Sequence, residues 1–140
     1  MSAMAYWLVK SEPGTWSWDD MVKAKRTEWD GVRNHQAKLN LKAMTKGDRA
    51  FFYHSGDEKA VVGIVEVVKE AYPDDSDPTG AFVMVDVKAL APIPKPVTLA
   101  AIKADGRFKD FGLVKLSRLS VVPCAAAHWA AICAMGGAKA

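Results

Sequence analysis

Two strand-length apolar runs, Arg49 to Ser55 (RAFFYHS) and Ala60 to Val68 (AVVGIVEVV), are joined by the polar turn Ser55-Gly56-Asp57-Glu58. Runs of this kind, rich in β-branched and aromatic residues and separated by a short turn, read as a β-hairpin. A third run, Ala81 to Leu90, alternates in character, with Val83, Val85 and Val87 on one face and Met84, Asp86 and Lys88 on the other. Side chains alternate across a strand, so this pattern predicts a half-buried strand that covers a core with one face. A sheet that buries one face needs helices or a second sheet over it, and the rest of the chain supplies helices.

Tyr6 to Val9 is a short buried strand, ended by Glu12-Pro13-Gly14-Thr15, which fits a type II turn with proline second and glycine third. Ser17, with Asp20 three residues on, caps a short helix running through Lys25. Ala37, Leu41 and Met44 recur at helical spacing, Asn34 stands where an N-cap belongs, and Gly47 stands where a left-handed C-cap belongs. A polar loop covers Tyr72 to Gly80, and a proline-bearing connector, Pro92 to Pro96, leads to a helix that Thr98 caps. Arg118 to Val122 reads as a last strand closed by Pro123. Ala125 to Met135 reads as a last helix, with Trp129, Ile132 and Cys133 inward and Gly136 as its stop. Without repeats, linkers or low-complexity tracts, residues 1–140 form one α+β domain with a mostly antiparallel, strongly curved sheet.

Charge is distributed unevenly. Arg33, Lys38, Lys42, Lys46 and Arg49 stand against Asp48 alone, whereas Glu70, Asp74, Asp75, Asp77 and Asp86 are interrupted by no base in the same stretch. Counted along the chain, this predicts a basic side and an acidic side, and a formal net charge of +3 is compatible with a polyanionic partner. The two cysteines, Cys124 and Cys133, offer neither a disulfide framework nor zinc spacing. The apolar run at Ala5 to Val9 lacks the basic leader of a secretion signal, and no run reaches the ~20 residues of a membrane helix. A soluble, cytoplasmic monomer without membrane contact is the expectation.

His35, His54 and His128 fall in no pattern with a serine or cysteine nucleophile, and no phosphate loop or metal-ligand spacing occurs, so the residues predict neither enzyme, metal nor cofactor. The stretch WDGVRNHQA, Trp29 to Ala37, is richer. Asp30-Gly31 is a turn pair, which would place Trp29 on a loop beside an opening, where its indole offers a stacking surface. Asn34 would cap the helix through its oxygen and leave its amide nitrogen to donate outward. Arg33, Lys38 and Arg118 would hold flanking phosphates. A polar end to the strand at His54-Ser55 is a usual place for groups that face a ligand.

The blocks YWLVKSEP, WDGVRNHQA, MTKGDRAFFYHS, VVGIVEVV, AYPD and LSRLSVVP resemble, in order and spacing, those of EVE domain proteins in the PUA-like superfamily. The resemblance runs from Tyr6 to about Met135. It implies a small curved β-barrel or pseudobarrel with short helices around it. It also implies a partner, DNA or RNA carrying a modified base, since related YTH domains bind methylated adenine in RNA and eukaryotic EVE proteins are linked to modified cytosine in DNA. Carried over residue by residue, it implies a base pocket made by Lys10, Ser11, Trp29, Val32, Asn34, His54, Ser55, Leu119 and Ser120. Two rivals stay open: a small nucleobase- or nucleotide-processing enzyme using His54 and Lys10 as acid and base, and a protein-interaction module using the basic helix against an acidic partner.

Overall fold

The computed structural model describes residues 4–138. Six strands, β1 (Tyr6–Ser11), β2 (Arg26–Trp29), β3 (Arg49–His54), β4 (Ala60–Pro73), β5 (Val83–Thr98) and β6 (Val121–Cys124), form one mixed sheet in the order β2-β5-β4-β3-β1-β6. Only β1 and β3 run parallel, with Tyr6 opposite Arg49 and Ser11 opposite His54. A parallel pair needs a long crossover. Here the crossover holds α1 (Trp18–Ala24), β2 and α2 (His35–Ala43), and it carries most of the WDGVRNHQA stretch. The remaining helices are α3 (Leu99–Ala104), α4 (Gly112–Lys115) and α5 (Ala126–Gly136), with a 3-10 turn at Gly106–Phe108.

The sheet curls but does not close: β2 and β6 are its two edges and share no ladder. The expected barrel is therefore an incomplete one, and α2 packs across the opening, against β4, β5 and β6. Asn40, buried on α2, holds that position by donating from Nδ2 to the Val121 carbonyl of the β6 edge (2.7 Å). Inside, Phe51 stacks on Trp129 with ring centres 3.9 Å apart, and Tyr6 covers the same indole at 4.5 Å. The fully buried Phe51 and Trp129 each contribute about 1.5–3 kcal/mol through the apolar surface they remove from water.

Several local expectations hold. Ser17 and Asp20 form a reciprocal capping box at α1, Asn34 Oδ1 accepts from the Ala37 N–H (2.9 Å) at α2, and Thr98 caps α3. Trp129, Ile132 and Cys133 are buried on α5.

Other expectations need correction. Glu12 to Thr15 is a turn closed by Thr15 N–H to Glu12 C=O (2.9 Å), but Gly14 lacks positive φ, so the type is not II. Helix α2 ends at Ala43 with Met44 as its cap, leaving Gly47 (φ 98°) to the following turn and Lys46 off the helix. The Pro92–Pro96 connector is part of β5, and β6 includes Pro123 and starts only at Val121. Past Lys88, β5 has no β2 partner, so the proline-bearing stretch runs where one side of the strand needs no ladder donors. Gly136 lies within α5 against Ile93, and Gly137 (φ 73°) is the left-handed cap.

The expected division into a basic and an acidic side also fails in space. Asp74, with its side chain fully buried, accepts from the Gly31 N–H (2.9 Å), Arg33 Nη1 (3.0 Å) and both N–H and Oγ of Ser76. The acidic loop is thereby clamped onto the basic connector. Burial by itself would raise the Asp74 pKa, but hydrogen bonds from Ser76, Arg33 and Gly31 outweigh it and hold the carboxyl at about 2. A carboxyl depressed in the folded state contributes stability above its unfolded pKa and loses that stability as pH falls through its folded one. Acid should therefore weaken the protein between about pH 4 and pH 2. Asp74→Asn should cost about 1–3 kcal/mol at neutral pH and flatten that acid limb in thermal unfolding, and an unchanged pH profile would remove Asp74 from this role. Gly63 lies flat against the Trp18 ring, where an added methyl would overlap ring carbons, so Gly63→Ala should lower Tm by an amount equivalent to about 1–3 kcal/mol.

Candidate nucleic-acid interface

The opening between the two sheet edges contains a cavity of about 620 Å³. One wall comes from the end of β1 (Lys10, Ser11), the turn after it (Glu12, Thr15, Trp16) and Ser120 just before β6. The other comes from β2 (Thr27, Glu28, Trp29) and the connector to α2 (Asp30 to Asn34). Because β2 lies at one end of the strand order and β1 and β6 at the other, the end of β1 and Ser120 can share a cavity with β2 only because the sheet curls on itself.

Trp29 is the last residue of β2, hydrogen-bonded in register with Val85, and not on a loop as its turn-forming neighbours had suggested. It meets Phe52 in a T-shaped contact (5.5 Å, 85° between planes), and Phe52 in turn meets Trp18 (5.4 Å). The indole is 8% exposed, so a rigid core backs it while it borders the cavity. Trp16, which sequence reasoning left among the packing tryptophans, is a second aromatic lining residue. The turn puts it there, and Ser11 Oγ fixes it by donating to its carbonyl (2.5 Å). The signal that could have found it was its position four residues after Glu12, at the end of the same turn that closes β1.

Of the sequence-derived pocket residues, Lys10, Ser11, Trp29, Val32, Asn34 and Ser120 line this cavity, together with Arg33. His54, Ser55 and Leu119 do not. His54 Nε2 accepts from the Trp18 N–H at the start of α1 (2.9 Å), so the proton sits on Nδ1 and points to Glu58 Oε2 (3.0 Å). Both ring nitrogens are occupied, and the side chain is a buried cap for α1. Ser55 is tied to β1 through its N–H to the Ser11 carbonyl (2.9 Å), and Leu119 is buried against the core.

Three of the four cations are engaged too. Lys10 Nζ donates to the Ser117 carbonyl (2.8 Å), and partial burial holds its pKa below the usual lysine range. Arg33 serves Asp74 and Ser76. Lys38 lies with its ammonium 5.5 Å from the Phe82 ring centre, on which Arg33 also sits at 5.4 Å. Arg118 is exposed, on the turn that supplies the carbonyl for Lys10.

The cavity thus offers an aromatic wall, the Asn34 side-chain nitrogen, which has no partner among the described residues, and the carboxylates of Glu12, Glu28 and Asp30. Among the described residues no group of histidine, cysteine and acidic side chains is arranged to hold a metal, and no helix is long and apolar enough to cross a membrane. Such a site can stack a flat ring and hydrogen-bond its edge.

Comparison with known proteins agrees with the geometry. A solved structure of Rpa0253 from Rhodopseudomonas palustris is 57% identical, covers 96% of this chain and 94% of its own, and superposes with a TM-score of 0.90. Human thymocyte nuclear protein 1 is 35% identical over 85% of this chain and 68% of its own length. The crystal structure of human THYN1 protein in complex with 5-methylcytosine-containing DNA is 31% identical over 97% of this chain and 99% of that one, with a TM-score of 0.86. These relatives share the curled, open α+β sheet, which is the PUA-like arrangement. The family model of the EVE domain matches residues 5–135, and the chain belongs to the EVE domain family.

Proposed function

We propose that this protein is a nucleic-acid-binding reader that takes one modified nucleobase, methylated or hydroxymethylated, into the cavity between its sheet edges. The observation that carries this reading is the cavity itself: Trp29 and Trp16 line it, Asn34 presents a free donor, and its volume of about 620 Å³ falls in the range of small-ligand sites. The 5-methylcytosine-containing DNA held by the human relative is the same class of ligand.

A base would leave its stack, at a cost of a few kcal/mol, and be compensated by stacking on Trp29 worth about 1–3 kcal/mol. The Asn34 amide would donate to an acceptor on the edge of the base, while its oxygen stays on the Ala37 N–H. Lys10, Ser11, Val32 and Ser120 would complete the walls, and Lys38 and Arg118 would meet flanking phosphates. Arg33 would contribute field rather than a direct contact, because its guanidinium is held by Asp74. The rival acid–base pair loses support, since His54 is spent on α1 and Glu58 and does not line the cavity with Lys10.

Fluorescence anisotropy with short DNA and RNA strands carrying plain, methylated or hydroxymethylated bases, at two salt concentrations, tests the reading. Measurable preference for a modified strand supports it; absence of binding to every strand at low salt overturns it. Asn34→Asp separates fold from function. Aspartate caps as well as asparagine, so Tm should hold, while loss of the amide donor should weaken binding by about 1 kcal/mol or more, roughly fivefold or greater. Arg118→Ala should weaken all strands alike and lower the salt dependence of log K by about one unit of slope.

A further inference from the structure

Of the large apolar side chains among the described residues, Leu116 is the most exposed, at 53%. It opens the turn Leu116-Ser117-Arg118-Leu119, which the Leu119 N–H closes by donating to the Leu116 carbonyl (2.9 Å). The turn is braced from behind. Leu119 is buried in the core, Lys10 Nζ donates to the Ser117 carbonyl (2.8 Å), and the Lys10 N–H donates to the carbonyl of Ser120 (3.0 Å). Lys10 and Ser120 are wall residues of the cavity, so the turn is fastened to its rim. Lys115 and Arg118, on either side of Leu116 in the chain, are exposed, and neither side chain has a hydrogen-bond or ion-pair partner among the described residues.

A single exposed leucine is ordinary on a protein surface. This one differs in its setting, an apolar tip between two free cations on a braced turn beside a cavity with an aromatic wall. A base that swings out of a duplex leaves a slot between the faces of its two neighbours. Apolar side chains fill such gaps in a stack, and cations beside them meet the phosphates on either side. We infer that the protein draws its base out of a duplex, and that Leu116 enters the stack in the place the base has left, with Lys115 and Arg118 on the adjoining phosphates. This inference rests on the reading of the cavity as a base pocket. Leu116 acts on the stack and not on the base, so it governs duplex against single strand rather than one base against another. A single strand has no partner strand to hold such a slot open, and there the leucine gains little.

The test titrates the whole protein by anisotropy against three DNA probes: a short duplex with one modified base, the same duplex unmodified, and the modified strand alone. One set carries 5-methylcytosine and a second set methylated adenine. Leu116→Ala, checked for unchanged Tm, should weaken binding of the modified duplex by about fivefold, roughly what is lost when the exposed half of a leucine is no longer buried. The single strand and the plain duplex should be bound as before, within about twofold, and the salt dependence of log K should not change, because no charge is removed. Leu116→Met, which keeps the apolar volume, should restore the affinity. The inference is overturned, with the pocket reading left standing, if the wild type binds a modified single strand but not its duplex, if Leu116→Ala leaves the modified duplex unaffected or weakens every probe alike, or if Leu116→Met restores nothing. Failure of every probe in both sets to bind at low salt overturns the pocket reading itself.

Discussion

An open sheet leaves two rows of backbone groups without strand partners, and curling brings those rows to face each other across a gap too wide for a shared ladder. The gap has to be filled by something that supplies hydrogen bonds to an edge without being a strand. Helix α2 does this with Asn40, whose amide meets the Val121 carbonyl on β6, while β2 reaches the other side through Trp29 and Val85. Closure near α2 is tight, and beside it the walls stand apart. The cavity is the part of the gap that the crossover does not fill, so the fold's unsolved edge and its site are the same place.

The connector between β2 and α2 has to hold its shape for that arrangement to work, and the buried Asp74 carboxylate supplies the constraint. It gathers two backbone N–H groups, a guanidinium and a hydroxyl at one point, and those donors belong to the connector or to the loop laid over it. A second buried carboxylate, Asp48, does comparable work at the far end of the crossover. It accepts from the Ala5 N–H, the Trp7 indole N–H and Thr45, which fixes the start of β1 beside the start of β3. The chain places acids where backbone donors would otherwise be buried unpaired.

Much of this was legible in the residues. The hairpin of β3 and β4, the capping box at Ser17 and the Asn34 cap depend on contacts within a few positions, and local chemistry determined them. β2 was not legible, because Arg26-Thr27-Glu28-Trp29 is a short, charged edge strand whose assignment comes only from pairing with β5. The prolines of β5 misled for a related reason, as their tolerance depends on which side of the strand has a neighbour. The charge map misled because Arg33 and Asp74 lie 41 positions apart in sequence and touch in space. At the site, Trp29, Asn34 and Lys10 were named from motif and resemblance, whereas the carboxylates and Trp16 emerged only once the two edges met.

Placing the Trp29 indole on a strand rather than a loop has a consequence for how the cavity can change. Successive residues of β2 point to opposite sides, so a slip of one position against β5 would exchange the indole for a carboxylate across the whole wall. The pairing of Thr27 with Val87 and of Trp29 with Val85 therefore sets what the cavity presents as well as how the sheet is built. Substitutions along this wall can alter the lining one residue at a time, but an inserted or deleted residue in β2 would invert it in a single step.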